Sequence, residues 1–158
     1  MANIIPWPDN RLKTKAKPVQ LVTDEIRSLL DMILKAIKDN GAIGLSGNHL
    51  GIDLQLVVVA VSDPILMVNP EIITYSNDKV NLEEGSVSFP AIKVPIIRSQ
   101  SIVVKYLDYS GVEVVSELSD LESICTQHEI DQMNGITILD RLSRLKREFY
   151  MKKLMKNL

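Results

Sequence analysis

The sequence predicts an α+β fold, and three observations predict it. An amphipathic helical stretch opens the chain, short β-branched runs separated by turn residues follow, and two further helical stretches close it. Thr23 is the expected N-cap of the first helix, with Asp24 and Glu25 in its first turn. Ile26, Leu29, Leu30, Ile33 and Ile37 then recur at helical spacing until Asn40-Gly41 ends the pattern. Residues 1–20, with Pro6, Pro8 and Pro18, read as an extended arm.

The runs Leu56–Val61, Ile65–Val68, Ile72–Tyr75, Ile102–Leu107 and Val112–Val115 read as strands. Asp108-Tyr109-Ser110-Gly111 is a turn signal, so the last two are expected to form an antiparallel hairpin. Ser119, followed three residues later by Glu122, predicts a capping box that opens the second helix, and Asn134-Gly135 closes it. Leu121, Ile124 and Cys125 set its inward stripe, which carries on through His128 to Gln132, so two polar residues face the interior. Glu129 borders that face. Asp140 is expected to cap a last helix with Leu142, Leu145, Phe149 and Leu154 as its stripe.

Without repeats or low-complexity linkers, residues 1–158 are expected to form a single domain. A formal charge of −2 gives no global field for DNA or membrane, so neither is expected as a partner. Cys125 is the only cysteine, which excludes an internal disulfide and any multi-thiolate cluster. No signal-peptide pattern or membrane span is present, so the expected compartment is the cytoplasm.

Gln127-His128-Glu129-Ile130-Asp131-Gln132 falls one imidazole short of His-Glu-x-x-His, in which two histidines one turn apart hold a divalent metal and the glutamate handles protons. Alone, that is a weak signal. Upstream stand Gly44-Leu45-Ser46-Gly47-Asn48-His49 and Glu84-Gly85-Ser86-Val87-Ser88. In this order and spacing the three segments resemble the signature motifs of the peptide deformylase family: Gly-Leu-Ala-Ala-x-Gln, Glu-Gly-Cys-x-Ser and Gln-His-Glu-x-Asp-His. Pro8-Asp9-Asn10-Arg11-Leu12, Arg98 and Gly135 also fall where that family would put them.

The resemblance implies antiparallel sheets packed around a central helix that carries the third motif. It implies removal of the N-formyl group from the initiator methionine of new proteins, by a metal held on one cysteine and two histidines. It also implies substrate-binding roles for Gly44, Leu45, Val87 and Arg98, a methionine pocket at Ile43, Leu121 and Ile124, and a catalytic role for Glu129. The departures fall on the metal: Ser86 replaces the cysteine, Gln132 replaces the second histidine, and His49 stands where the family has a glutamine that binds the formyl oxygen. Only His128 keeps a ligand type.

A serine hydroxyl stays protonated at neutral pH, and an amide oxygen is neutral and hard. With about 10 to 16 kcal/mol for a four-ligand zinc site, two lost ligands cost roughly 6 kcal/mol, about four orders of magnitude in affinity. Without a metal, water keeps a pKa near 15.7 instead of about 7, and a general base alone contributes only about 10² to 10⁴. The expectation is therefore a deformylase-like protein without hydrolytic activity and without a cofactor. Any zinc or iron would be held weakly, and Ser86, His128 and Gln132 are expected to share a metal-free hydrogen-bond cluster. The alternative is an active hydrolase rebuilt on His49, His128 and Glu129. Cys125 is read as a small buried hydrophobe, and Asp131 as an ion-pair partner. A formyl-Met or Met N-terminal peptide, or else a protein partner, is the expected ligand. Residues 141–158 carry seven Lys or Arg against one acid, and the resemblance implies a ribosome contact there.

Overall fold

The computed structural model describes residues 3–158. Helix α1 is Asp24–Asn40. Its start is fixed by the Thr23 hydroxyl, which accepts from the Ile26 amide, and its end by Gly41 in the left-handed region (φ 61°). Ile26, Leu30, Ile33, Ala36 and Ile37 are buried along one face, as the periodicity predicts.

Strands β1 (Gly44–Ser46), β2 (Leu56–Val59), β3 (Ile65–Tyr75), β6 (Ser101–Leu107) and β7 (Glu113–Ser119) form an antiparallel sheet in the order β1-β2-β3-β6-β7. Strands β4 (Lys79–Ser86) and β5 (Phe89–Ser99) pair as a separate hairpin. The expected β6–β7 hairpin is present, with Ile102 opposite Leu118 and Leu107 opposite Glu113. β2 is Leu-Val-Val-Val, buried at every position because both faces of the sheet are covered. Leu56 and Val58 pack toward α1, whereas Val57 and Val59 pack toward helix α2 (Asp120–Met133). Each such side chain contributes about 1.5 to 3 kcal/mol relative to exposure.

Several expectations need correction. The runs 65–68 and 72–75 belong to one strand, β3, which passes through an irregularity at Asn69 (φ 52°). The Asn69 amide offsets the lost pairing by bonding both Val19 N–H and Val19 C=O at 2.8 Å. The Ser119 capping box does not form: Ser119 ends β7, Asp120 turns the chain at φ 55°, and the Ser119 hydroxyl makes no cap bond. Asp140 sits in a 3-10 turn, Ile138–Arg141, where it completes a capping box with Thr137; Ser143 caps the last helix, α3 (Arg144–Lys156). On α3, Leu145 and Phe149 are exposed, so the predicted stripe narrows to Leu154, packed beside Leu142. The N-terminal arm holds a 3-10 turn at Asn10–Lys13 and buries Leu12, Ala16 and Val19.

A third core joins Phe89, Ile92, Val94 and Ile96 of β5 to Ile138, Leu139, Leu142 and Leu154. No helix among the described residues is long and apolar enough to cross a membrane.

Candidate active site

Strand β1 lies at one edge of the large sheet, and α2 crosses close against it. A Cβ on Gly44 would lie 2.6 Å from Cys125 Sγ and 3.3 Å from Glu129 Cγ, so only glycine lets the helix approach this far. Between β1, α2 and the β4–β5 hairpin lies a pocket of about 470 Å³. Gly44, Leu45, His49, Ser86, Val87, His128 and Glu129 line it, together with Ile43, Leu121 and Ile124. Thus the three sequence motifs meet in one cavity. Leu121 is 45 % exposed, so the α2 stripe leaves the core at its first residue and enters the pocket wall.

Two expected site residues are elsewhere. Arg98, expected beside a substrate backbone, is absent from the pocket lining and buried behind it. Its Nε and Nη2 donate to Glu84 at 2.7 and 2.9 Å, and its Nη1 donates to Asp131 at 2.7 Å. Arg141 meets the same Asp131 at 2.5 and 2.9 Å. Gln132 is buried and turned toward the N-terminal arm, its Nε2 donating to Leu12 C=O at 2.7 Å. The Ser86 hydroxyl accepts from the Ser88 amide at 3.3 Å. The expected Ser86–His128–Gln132 cluster is therefore not formed; each residue has a different partner.

His128 Nδ1 is 2.8 Å from Glu84 Oε1. An ionised carboxylate only accepts, so this nitrogen carries the proton and Nε2 faces Glu129 Oε2, 4.0 Å away. Burial would lower the His128 pKa, but the Glu129 and Glu84 carboxylates outweigh it and raise it. Burial would likewise raise Glu84, yet hydrogen bonds from His128 and Arg98 hold it low. His49, from the 3-10 turn Gly47–Leu50, places Nδ1 2.8 Å from the Ser88 hydroxyl and Nε2 3.3 Å from Glu129 Oε1. That last approach lacks hydrogen-bond alignment, and Oε1 has no hydrogen-bond partner among the described residues. Glu129 is nonetheless held below its ordinary pKa: burial raises it, and the two imidazoles more than compensate. Burial pushes the Cys125 thiol well up, and it donates weakly to Ile43 C=O at 3.6 Å.

His49, His128 and Glu129 thus come together. Among the described residues, however, no group of three or more His, Cys, Asp or Glu is arranged to hold a metal ion. Sequence reasoning missed Glu84 and Ser88 as partners of the two imidazoles. Glu84 is the one buried position of β4, a strand that the sequence pattern did not announce.

The family model for polypeptide deformylase matches residues 1–148. A peptide deformylase-like protein of Rickettsia conorii is 38% identical over 160 residues, covering 98% of this chain and 87% of that protein. A peptide deformylase of Methylocella silvestris is 36% identical, covering 97% and 83%. Among solved structures, peptide deformylase from Ehrlichia chaffeensis superimposes with a TM-score of 0.92 at 32% identity, covering 99% of this chain and 96% of that one; it has also been solved in complex with actinonin. By sequence, fold and the convergence of its motifs on one pocket, this chain belongs to the polypeptide deformylase family.

Proposed function

We propose that this chain holds N-terminal methionine peptides in the deformylase pocket without removing the formyl group. The observation that carries the reading is the divergence of the three ligand positions. Gln132 donates inward to Leu12, Ser86 accepts from its own turn, and His128 has its Nδ1 committed to Glu84. A hydroxyl, an averted amide and one imidazole do not make a donor set for zinc or ferrous iron. The metal that the family implies does not fit these residues.

Retention of a binding role is supported by the pocket itself. Apolar Ile43, Leu45, Val87 and Ile124 surround a few polar groups, which suits a thioether side chain. The outermost position of β1 leaves an edge on which an extended peptide can add as a strand. Cytoplasmic residence and a ribosome contact through the basic residues of α3 belong to the same reading.

Metal analysis of chelator-free protein, together with formate release from formyl-Met-Ala-Ser, tests it. The expected result is well below one equivalent of zinc or iron and no formate. One equivalent of metal with turnover would overturn it. Displacement of a bound Met peptide by actinonin, the ligand of the Ehrlichia protein, tests whether the pocket is the binding site. The clustering of His49 and His128 around Glu129 favours a second reading, a rebuilt hydrolase. His49→Gln separates the two, because it abolishes formate release only in the rebuilt enzyme.

A further inference from the structure

Glu129 is a buried acid to whose Oε1 no donor among the described residues is aligned. Its side chain is 6 % exposed and lines the pocket. No donor among the described residues completes a hydrogen bond to Oε1, and His128 Nε2 stands 4.0 Å from Oε2, beyond hydrogen-bond reach. Both imidazoles already present Nε2 to Glu129, at 3.3 and 4.0 Å, without completing a hydrogen bond to it. His49 is fixed through Nδ1 by Ser88, and His128 through Nδ1 by Glu84. A buried carboxylate short of donors is costly, and a small cationic donor is the group that relieves it.

Resting on the reading that the pocket holds N-terminal methionine peptides, we propose that it selects peptides with a free α-ammonium over formylated ones, the ammonium donating to Glu129. Gly44 puts the backbone of the edge strand against the Glu129 side chain, so a peptide end entering along β1 arrives at this carboxylate. An ammonium brings three N–H donors and a compensating charge. A formyl group leaves a single N–H, removes the charge and sets a carbonyl oxygen, itself an acceptor, beside the carboxylate. The other acids of the lining do not compete for the ligand's charge equally. Glu84 is already paired with Arg98, and Glu83 is exposed.

Calorimetric titration of the full chain at pH 7 with Met-Ala-Ser, formyl-Met-Ala-Ser and the des-amino analogue 4-(methylthio)butanoyl-Ala-Ser tests the selection. The free-amine peptide is expected to bind at least about tenfold tighter than either of the others, a factor worth about 1.4 kcal/mol. Glu129→Gln is expected to remove that advantage by weakening the free-amine peptide at least about tenfold. If this variant fails to fold, the des-amino comparison on the unaltered chain carries the test. Saturable binding in which the formyl peptide matches or exceeds the free amine overturns the selection and leaves the peptide-binding reading standing. Failure of all three peptides to bind overturns both.

Discussion

Replacing Arg98 with methionine keeps the length of the side chain and removes the charge from the network behind the pocket. Arg98 gives two hydrogen bonds to Glu84 and one to Asp131, with side-chain exposures of 5 % for Arg98 and 8 % for Glu84. Deleting one partner of a buried pair costs about 3–5 kcal/mol, because the other charge stays behind in a poor solvent. Two features put Arg98→Met at the lower end of that range. His128 still donates to Glu84, and Arg141 still holds Asp131. The expected loss is about 3 kcal/mol at pH 7, which with a urea m-value of about 2 kcal/mol/M lowers the unfolding midpoint by about 1.5 M. Without the guanidinium the folded-state pKa of Glu84 moves up, so the deficit relative to the parent should shrink as pH falls from 7 toward 5. Adding Glu84→Gln removes the orphaned charge and should recover at least about 1 kcal/mol, a coupling expected of contacting residues. A midpoint shift below about 0.5 M, or a deficit that does not change with pH, would refute the view that this network carries stability through paired charge.

Other outcomes follow from the same geometry. Gly44→Ala should destabilise by about 1–3 kcal/mol, since its Cβ would sit 2.6 Å from Cys125 Sγ. Cys125→Ala should relieve part of that loss, and additive effects in denaturant melts would count against the steric explanation. Gly135→Ala, at φ 78° with a Cβ 2.4 Å from Lys13 C=O, should cost more than Gly44→Ala, because backbone cannot swing aside; equal midpoints would contradict this. The unaltered chain should be most stable between about pH 5 and 6.5. The lowered pKa values of Glu84 and Glu129 give stability that is present above the ordinary carboxylate range and lost as pH falls through the folded values. The raised value of His128 gives stability that is complete below the ordinary imidazole pKa and lost as pH rises through the folded value. Thermal melts from pH 3 to 9 check this, and His128→Asn should flatten the alkaline side.

The sequence was most legible where one face of an element is buried and its ends carry caps. Helix α1 meets both conditions: Thr23 bonds Ile26, Gly41 turns left-handed, and the buried residues fall on one stripe. Helix α2 does not. Ser123, Thr126, Gln127, Glu129, Ile130 and Met133 are buried as well as Ile124, Cys125 and Gln132 of the predicted stripe, whereas Leu121 is exposed, so a one-sided pattern describes only part of a helix enclosed on most sides. The β4–β5 hairpin was not read as strands. Pro90 and Pro95 resemble breakers, and the inward row Ile92, Val94, Ile96 ends in Arg98, a charge whose buried place depends on Glu84 from the partner strand. The pocket was legible through its motifs, whereas the partners of its polar residues were not. Ser88 reaches His49 across 39 positions and Gln132 reaches Leu12 across 120, contacts that local periodicity does not encode.

Those long-range partners bear on whether two substitutions would rebuild a metal centre. Ser86→Cys with Gln132→His restores the donor types, but the Gln132 amide is part of the core. Its side chain satisfies Leu12 C=O, and its backbone C=O accepts from the Asn48 side chain, which in turn receives the Ser46 hydroxyl at 2.5 Å. An imidazole at 132 that turns to a metal abandons Leu12 C=O, and leaving a buried acceptor unpaired costs about 1–3 kcal/mol. His49 adds a second obstacle, because its ring stands 3.3 Å from Glu129, where the family has a neutral amide. The double variant should therefore bind zinc at least a hundredfold more tightly than the parent, from about 3 kcal/mol per ligand less these costs, yet release formate slowly until His49→Gln is added. Full activity in the double variant alone would mean that ligand loss, and nothing else in this pocket, silenced the chemistry. Zinc binding no tighter than the parent's would mean that the Gln132 contacts lock α2 against it.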